Sequence, residues 1–365
     1  MSLTYSHDIS LQLSSQNLRA NRHGFHVRGD RYNQNVTRED GEMKADQIAI
    51  VHSSEYEGWV FSKTHPTQGR RFSKAFAQLT DILNEAKLEF QELEPRKATV
   101  AELELVHSSH YLSEVLGNHQ CGEWEGERSD LSHLAQLFAG GTLIALEALL
   151  SKSVKTAVHF PGAKHHAQRD HSSGFCVFAD FALAAEIATK RHGMKVAIYD
   201  FDGHHGDGTE NLTADNPDVL TFSIHEYGIF PGTGRESIPE KHVINIPLTN
   251  WPMWPYLGMG DEALEFGVER FIEECRTFGA DLIFIAAGAD GEINDPLTSL
   301  EYSEDAMVNQ GLVLRSAFPD IPMLVGGAGG YQPDTVTPQV WAKFAALIAG
   351  VDPRSISQSP NLWKT

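Results

Sequence analysis

Cysteine is scarce in this 365-residue sequence, which contains only Cys121, Cys176 and Cys275. Three cysteines so far apart do not make a disulfide framework or a cysteine-rich zinc site, so we expect a reducing compartment. Long apolar runs are also missing, since no stretch approaches about 18 uninterrupted apolar residues, and residues 1–45 lack a signal-peptide pattern. The sequence therefore predicts a cytoplasmic protein without a membrane partner.

Basic residues are few relative to acidic ones. The chain has 29 Lys and Arg against 49 Asp and Glu, a formal net charge of −20. Such a charge repels a phosphate backbone instead of releasing its counterions. We therefore expect no direct nucleic-acid partner, and a cationic substrate fits the charge better.

Apolar residues are plentiful, at 41% of the chain, which is enough for the core of one large α/β domain. Short aliphatic runs predict strands, listed here: Ile48–His52, Thr156–Phe160, Lys195–Asp202, Val219–His225, Val243–Ile246, Asp281–Ala287 and Ile321–Val325. Helical periodicity predicts these helices: Lys74–Glu89, Leu131–Leu150, Ala179–Arg191, Met259–Phe278 and Ala306–Phe318. Strands and helices alternate from about residue 155 onward, which predicts a mostly parallel sheet covered by helices, with sites at the carboxyl ends of the strands.

The segment before the first predicted strand is polar and shows little periodicity. We interpret residues 1–47 as an N-terminal extension and residues 48–365 as the catalytic domain. The extension could pack on that domain or on a second copy of the chain in a homo-oligomer, and the sequence leaves both open.

Potential metal ligands stand at alternate positions at the end of one predicted strand: Asp200, Asp202 and His204. If the extended backbone persists, the three side chains project from one face. A calcium loop of the helix-loop-helix type is excluded, because His204 and His205 occupy positions that require other residues. A polar turn with incidental histidines is the alternative, but burying these acids and histidines without a metal would be costly.

Asp290 follows another apolar strand, so it is expected at the same edge of the sheet. Two acids and one histidine leave a coordination position open, as a catalytic zinc requires. Position alone equally allows Asp290 to be a turn residue.

Two further groups follow predicted strands. His165 and His166 form an adjacent pair suited to acid–base chemistry, although a histidine pair alone is a weak signal. The run Gly326–Gly330 lacks the ending and spacing of a phosphate-binding loop, so we interpret it as a turn that presents Tyr331.

Taken together, these residues resemble the zinc-dependent histone deacetylases, including bacterial members and the acetylpolyamine amidohydrolases. The resemblance runs from about Ile48 to the C-terminus. The matching motifs occur in the family's order: Val106-His107-Ser108 with Tyr111-Leu112, His165-His166-Ala167 with Ser173-Gly174-Phe175-Cys176, Asp200 to Thr209, Phe230-Pro231-Gly232-Thr233-Gly234, Gly288-Ala289-Asp290, and the Gly-Gly-Tyr ending at Tyr331. The resemblance implies the arginase-deacetylase fold, with eight parallel strands between helices.

The resemblance also implies roles for these residues. It makes Asp202, His204 and Asp290 the ligands of one catalytic Zn²⁺, and Tyr331 the phenol that polarises the substrate carbonyl. His165 and His166 become tandem histidines oriented by Asp200 and Asp207 respectively. A structural K⁺ would be bound by Asp200, the Ser223 side chain, and the carbonyls of Asp202, His204 and Ile224.

The implied substrate is an acylated lysine or a small acylated amine. Gly174, Phe175, Phe230 and Leu297 match positions that line the family's substrate tunnel. Polyamine-selective relatives carry a glutamate where Asp295-Pro296 is followed here by Leu297, which disfavours an acetylpolyamine by that route. Acids in the N-terminal half, such as those of residues 117–130, remain an alternative amine or peptide contact.

Lys164 stands where close relatives carry a small or apolar residue. Because such a change could reshape the substrate tunnel, the length of the acyl group stays open. Two other functions fit the sequence less well. A manganese ureohydrolase would need more carboxylates around two metals. A silent acyl-lysine binding module would be expected to lose the zinc ligands or Tyr331, and all are present.

Overall fold

The computed structural model describes residues 48–249 and 258–356. The predicted N-terminal extension, residues 1–47, lies outside the described residues, so its boundary and its role in a homo-oligomer stay predictions.

Eight strands form one sheet in the order β2-β1-β3-β8-β7-β4-β5-β6, and every neighbouring pair is parallel. The strands are β1 Ile48–Val51, β2 Phe90–Leu93, β3 Thr156–His159, β4 Val196–Asp200, β5 Val219–Glu226, β6 Val243–Leu248, β7 Leu282–Ala286 and β8 Met323–Gly326. The central strands are buried along their whole length, which explains their continuous aliphatic sequences. The predicted parallel α/β sheet is confirmed.

The helices of the described residues are α1 Arg70–Glu85, α2 Val100–Leu103, α3 Ser109–Leu112, α4 Ser129–Leu150, α5 Asp180–His192, α6 Asp207–Thr213, α7 Asp261–Phe278, α8 Glu304–Ala317 and α9 Val336–Ile348. All five helices expected from periodicity are present, with ends shifted by a few residues. The largest shift is at α1, which begins at Arg70 and ends at Glu85 instead of continuing to Glu89.

Five elements had no prediction from sequence: β2, the short helices α2, α3 and α6, and α9. The edge strand β2 has the sequence FQEL and is only partly buried, so it carries no aliphatic run. The longest of the five is α9, whose buried face packs against α1 and α8.

Among the described residues, α4 is the helix long and apolar enough to cross a membrane by length and composition. However, 72% of its most apolar window is buried inside the fold. This is the behaviour of a core helix, because α4 packs against β1, β3 and β8.

The strand order determines where the chemistry-bearing loops meet. Strands β3, β8, β7 and β4 are adjacent at the centre of the sheet, and all point the same way. The segments that follow them therefore converge at one edge of the sheet. Those segments carry His165, Tyr331, Asp290 and Asp202.

Candidate active site

Three buried side chains bring their donor atoms together at this edge. Asp202 and His204 lie in the loop after β4, and Asp290 lies in the loop after β7. Their donor atoms are all within 4.8 Å of one another. His204 Nδ1 is 2.8 Å from Asp290 Oδ2 and 3.2 Å from Asp202 Oδ1.

Backbone amides hold the remaining oxygens of the two acids. Gly329 N donates to Asp202 Oδ2 at 2.6 Å, and Gly203 N donates to Asp290 Oδ1 at 2.8 Å. Glycine is needed at 329, because a Cβ there would come within 2.4 Å of Asp290 Oδ2 and 2.6 Å of Asp202 Oδ2. One oxygen of each acid is thus held by the backbone, and the other faces His204.

The electrostatics of this group fit a divalent cation. Burial and the adjacent Asp202 carboxylate raise the pKa of Asp290 above its ordinary value. Burial opposes protonation of His204, but the two carboxylates outweigh it and raise the pKa of His204 to about 11. The two buried carboxylates therefore carry more negative charge than one imidazolium can balance. Their oxygens, together with the imidazole nitrogen, form a donor set that suits zinc.

The tandem histidines are each fixed by a carboxylate. His165 Nδ1 is 2.7 Å from Asp200 Oδ2, and His166 Nδ1 is 2.7 Å from Asp207 Oδ1. Gln168 Nε2 donates to the other oxygen of Asp207 at 2.8 Å. The two imidazole rings lie 4.0 Å apart.

The surroundings of the two imidazoles drive their pKa values apart. Burial would lower the pKa of His165, but the Asp200 and Asp202 carboxylates outweigh it and raise it to about 9. Burial, together with the neighbouring charge of His165, lowers the pKa of His166 to about 4 despite Asp207. Without a cation, His165 is the protonated partner and His166 the neutral one.

The turn before the tandem histidines is held by Asp180, which sequence reasoning missed. Its carboxylate accepts hydrogen bonds from the backbone of Ala163 at 3.0 Å and of Lys164 at 2.6 Å, and from Thr142 Oγ1 at 2.5 Å. Ala163 has a φ of 63°, a left-handed conformation that needs such support. An acid in the first turn of α5 ordinarily indicates a favourable helix end, so no sequence signal pointed to this role.

Tyr331 is positioned through its backbone. Its N–H donates to Asp295 Oδ2 at 2.8 Å, while Asp295 Oδ1 accepts from Leu297 N at 3.0 Å. Burial and the acids Asp290 and Asp202 raise the pKa of the Tyr331 phenol well above its ordinary value. The phenol is therefore protonated at neutral pH and can donate a hydrogen bond.

A cavity of about 340 Å³ leads to these groups from the surface. Its lining comprises Glu123, His166, Gly174, Phe175, His204, Ile229, Phe230, Leu297 and Tyr331. All four predicted tunnel residues are among them. At Gly174, with a φ of 53°, a Cβ would come within 2.4 Å of the His166 ring and 2.9 Å of Phe230, so only glycine leaves this space open.

Glu123 contributes an acid to this cavity. Its Oε2 accepts the N–H of Phe175 at 2.8 Å, and burial raises its pKa. The sequence could not separate Glu123 from its acidic neighbours Glu125, Glu127 and Asp130, which are exposed.

The residues predicted to bind a monovalent cation lie behind the tandem histidines. Asp200 and Ser223 are paired in register on β4 and β5. Asp200 Oδ1 accepts the N–H of Asp202 at 3.1 Å, and Ser223 Oγ is 2.9 Å from His225 Nδ1. Cation binding by this group and by the carbonyls of Asp202, His204 and Ile224 stays a prediction.

Comparisons with known proteins point to one family. Residues 65–348 match the histone deacetylase domain. The chain is 31% identical over 329 residues to the acetoin utilization protein AcuC of Bacillus subtilis, covering 83% of this chain and 82% of that protein. It is 28% identical over 347 residues to a protein of Archaeoglobus fulgidus described as a probable deacetylase, covering 86% and 91%.

Among solved structures, the HD domain of HDA15 aligns with a TM-score of 0.72 at 23% identity, covering 84% of this chain and 90% of that one. That likeness confirms the arginase-deacetylase fold expected from the motifs. From the domain match and the similarity to AcuC, this chain belongs to the histone deacetylase family of hydrolases.

Proposed function

We propose that this protein is a zinc-dependent deacetylase that removes an acetyl or other short acyl group from the amine of an acyl-lysine or a related acylated amine. The observation that supports it most is the convergence of Asp202, His204 and Asp290 beside a cavity that His204 lines. A set of three ligands leaves a coordination position for the reaction, as catalytic zinc sites do.

Asp202, His204 and Asp290 would hold the zinc, with Gly203 N and Gly329 N fixing the second oxygen of each acid. When bound, zinc supplies Lewis acidity, which makes water more acidic and the carbon of an amide carbonyl more electrophilic. The remaining steps depend on the chain's own residues.

His166 is the residue we propose as the main general base and acid. Asp207 engages its Nδ1 and leaves Nε2 as the ring nitrogen available to the cavity that His166 lines. From there Nε2 can take a proton from the attacking water and return it to the departing amine. His165, engaged by Asp200, acts as a neighbouring electrostatic partner.

Tyr331 is proposed to donate its hydroxyl to the oxygen that becomes negatively charged during attack. Its backbone bond to Asp295 fixes the segment that carries the phenol. Its ring packs edge-on against Phe175 at 6.0 Å, which restricts its orientation further.

The aromatic walls of the cavity suit an unbranched alkyl amine. Phe175 and Phe230 both line it, and the Phe230 ring also packs edge-on against His166 at 4.9 Å. Each methylene of a lysine side chain buried there would contribute about 0.8 kcal/mol. The 49% exposure of Phe230 is consistent with a wall completed by the substrate.

We also propose a structural K⁺ site and a cytoplasmic location. Asp200 and Ser223, with the carbonyls of Asp202, His204 and Ile224, would bind a structural K⁺, supported by the pairing of β4 with β5. A cytoplasmic location, with neither nucleic acid nor membrane as a direct partner, rests on the net charge of −20 and the three unpaired cysteines.

A second candidate substrate is an acylated polyamine. Leu297 stands where polyamine-selective relatives carry a glutamate, but Glu123 brings a different carboxylate to the cavity. One of its oxygens holds Phe175 N, and the other could attract a second ammonium group of the substrate.

The deciding experiment assays zinc-loaded protein side by side on acetyl-lysine peptides, acetylated polyamines and longer acyl-lysine peptides. Preference for the peptides supports the primary proposal, and preference for polyamines supports the second. If none is hydrolysed although bound zinc is confirmed, the result favours the acyl-lysine binding module over the enzyme.

A further inference from the structure

A chain of buried hydrogen bonds ends at the turn before the tandem histidines. Its members are Tyr56, His159, Thr142 and Asp180, and none of them is more than 1% exposed. Tyr56 Oη is 3.0 Å from His159 Nε2, and His159 Nδ1 is 2.9 Å from Thr142 Oγ1. Thr142 Oγ1 in turn donates to Asp180 Oδ2 at 2.5 Å. The four side chains therefore form one continuous network.

The members of this network come from four parts of the fold. Tyr56 lies in the single turn of 3₁₀ helix after β1, Thr142 in α4, His159 at the end of β3 and Asp180 at the start of α5. Glycine at 141 lets them approach, because a Cβ there would come within 2.4 Å of His159 Nε2 and 2.9 Å of Tyr56 Oη. The network thus joins two helices and a central strand.

The donors and acceptors of the network run in one direction. Burial, together with the charge of Lys164, lowers the pKa of His159 to about 3, so its ring is neutral at pH 7 and carries one N–H. Because the Thr142 hydroxyl donates to Asp180, its oxygen accepts the ring proton from His159 Nδ1. His159 Nε2 then accepts from Tyr56, since burial raises the pKa of that phenol well above its usual value and keeps it protonated.

The network ends on a carboxylate that an amide cannot replace. Asp180 Oδ1 accepts the N–H of Lys164, and Asp180 Oδ2 accepts the N–H of Ala163 as well as the Thr142 hydroxyl. A backbone N–H can only donate, so both oxygens of Asp180 must accept. An asparagine would turn its own NH₂ group toward at least one of these donors.

The turn that Asp180 holds leads directly into the tandem histidines. Ala163, with its left-handed φ of 63°, stands two residues before His165 and three before His166. On the other side, Thr209 N donates to the His165 carbonyl at 2.9 Å. The backbone that carries both imidazoles is therefore held from two sides, and a displaced turn would move their Nδ1 atoms away from the carboxylates they contact.

We propose that Tyr56, His159 and Thr142 are positioning residues for acyl-amine hydrolysis, because through Asp180 they fix the turn that places the tandem histidines. This assignment rests on the proposed deacetylase function. Among the described residues that line the entrance cavity, none of the three is present, so they act on the imidazoles and not on substrate binding. A reacting group displaced by about 1 Å can cost about 10²-fold in rate, so turnover is the quantity that the network controls.

The first test compares kcat and KM for an acetyl-lysine peptide with zinc-loaded protein. Thr142→Val keeps the shape of the side chain but removes the hydroxyl, so kcat should fall by about tenfold or more while KM changes by less than about twofold. Thr142→Ser keeps the hydroxyl and should retain most of the wild-type kcat. Thr277→Val is the control, since it removes an exposed helical hydroxyl that donates to the Glu273 carbonyl.

The size of the effect should follow the order of the network. Asp180→Asn should lower kcat at least as much as Thr142→Val, and Tyr56→Phe should lower it less, because it removes only the last hydroxyl. Wild-type kcat in folded Thr142→Val, or a raised KM with kcat unchanged, would overturn the proposal. If Thr142→Val does not fold, Tyr56→Phe decides, and a kcat equal to that of the wild type overturns it.

The second test is independent of activity and uses NMR of zinc-loaded protein with isotope-labelled histidine. The Nδ1–H resonances of His165 and His166 report on their bonds to Asp200 and Asp207, which are both 2.7 Å long. These resonances should shift or broaden in Thr142→Val and stay in place in the serine variant and the control.

Unchanged resonances in Thr142→Val would overturn the proposal, whatever the activity. If the wild type hydrolyses no acylated amine but the resonances respond as expected, the deacetylase function is rejected and the positioning of the tandem histidines by the network is still supported. The two proposals therefore fail on different observations.

Discussion

His204 Nδ1 and Asp290 Oδ2 lie 2.8 Å apart although 86 residues separate them in sequence. They meet because β4 and β7 are paired in the sheet, so the loops that follow them leave the same edge. In the proposed metal site, a bound cation would balance the charge of the two buried acids that face this imidazole. Substitution of either residue is therefore the most direct test of metal binding.

Asp290→Asn should abolish tight zinc binding, because it removes one of the two carboxylate charges among the proposed ligands and leaves the shape nearly unchanged. Zinc at 100 times its Kd adds about 2.7 kcal/mol to the free energy of unfolding of a protein that binds it only when folded. Wild type and the exposed control Asp305→Asn should show this gain in denaturant titrations with and without zinc. An equal gain in Asp290→Asn would rule out Asp290 as a ligand.

Asp207→Asn tests the proton-transfer role of His166. The amide can still contact Nδ1 but no longer stabilises a charged imidazole, so kcat should fall by about 10²-fold or more while KM changes little. Asp215→Asn is the matched control, since Asp215 pairs with Lys241 at the surface. Equal kcat in wild type and Asp207→Asn would remove His166 from the mechanism as the principal base.

Tyr331→Phe tests the oxyanion donor. The variant keeps the ring contact with Phe175 but loses the hydroxyl, so turnover should fall by about 10²- to 10³-fold. Zinc affinity should be unchanged, which isothermal titration can measure, and Tyr227→Phe serves as a control. Near-normal turnover of Tyr331→Phe would contradict its assignment.

His107, which is not among the proposed metal ligands, gives a prediction for stability against pH. Its Nε2 accepts the N–H of Ala179 at 3.0 Å and its Nδ1 contacts the Gln168 carbonyl at 2.9 Å, an arrangement that requires the neutral ring. Burial lowers its pKa to about 4 from the model-peptide value of 6.5. Below pH 6.5 the unfolded chain therefore binds a proton that the folded chain rejects.

His107 thus contributes stability that is fully present above pH 6.5 and is lost as the pH falls toward 4, by about 3 kcal/mol in total. His107→Gln can keep an acceptor and a donor but does not titrate, so its free energy of unfolding should fall less steeply over this range. Parallel curves for variant and wild type in urea titrations at each pH would refute the assignment.

The sequence predicted which residues form the candidate site better than it predicted which of their side chains contact one another. Regular spacing suggested that Asp200, Asp202 and His204 act together as ligands. The strand ends at Asp200, however, so its side chain reaches His165, while the Asp202 carboxylate contacts His204 and Gly329. The resemblance to a family anticipated this division, and spacing alone could not.

The residues that were missed act across long separations. Asp180 supports Ala163 from α5, Glu123 reaches Phe175 across 52 positions, and Asp295 holds Tyr331 across 36. Each is an ordinary acid in a helix end or a loop when seen in sequence. Their roles depend on strand order and loop packing, which local periodicity does not encode.

The central claim is that acyl-amine hydrolysis here depends on zinc held by Asp202, His204 and Asp290. The most direct measurement is the turnover of an acetyl-lysine peptide by metal-stripped protein titrated with zinc. We predict no activity without metal and a rise that reaches its plateau at about one zinc per chain, with no rise in Asp290→Asn. Full turnover by the stripped protein, or none with one zinc confirmed bound to the wild type, would contradict the account.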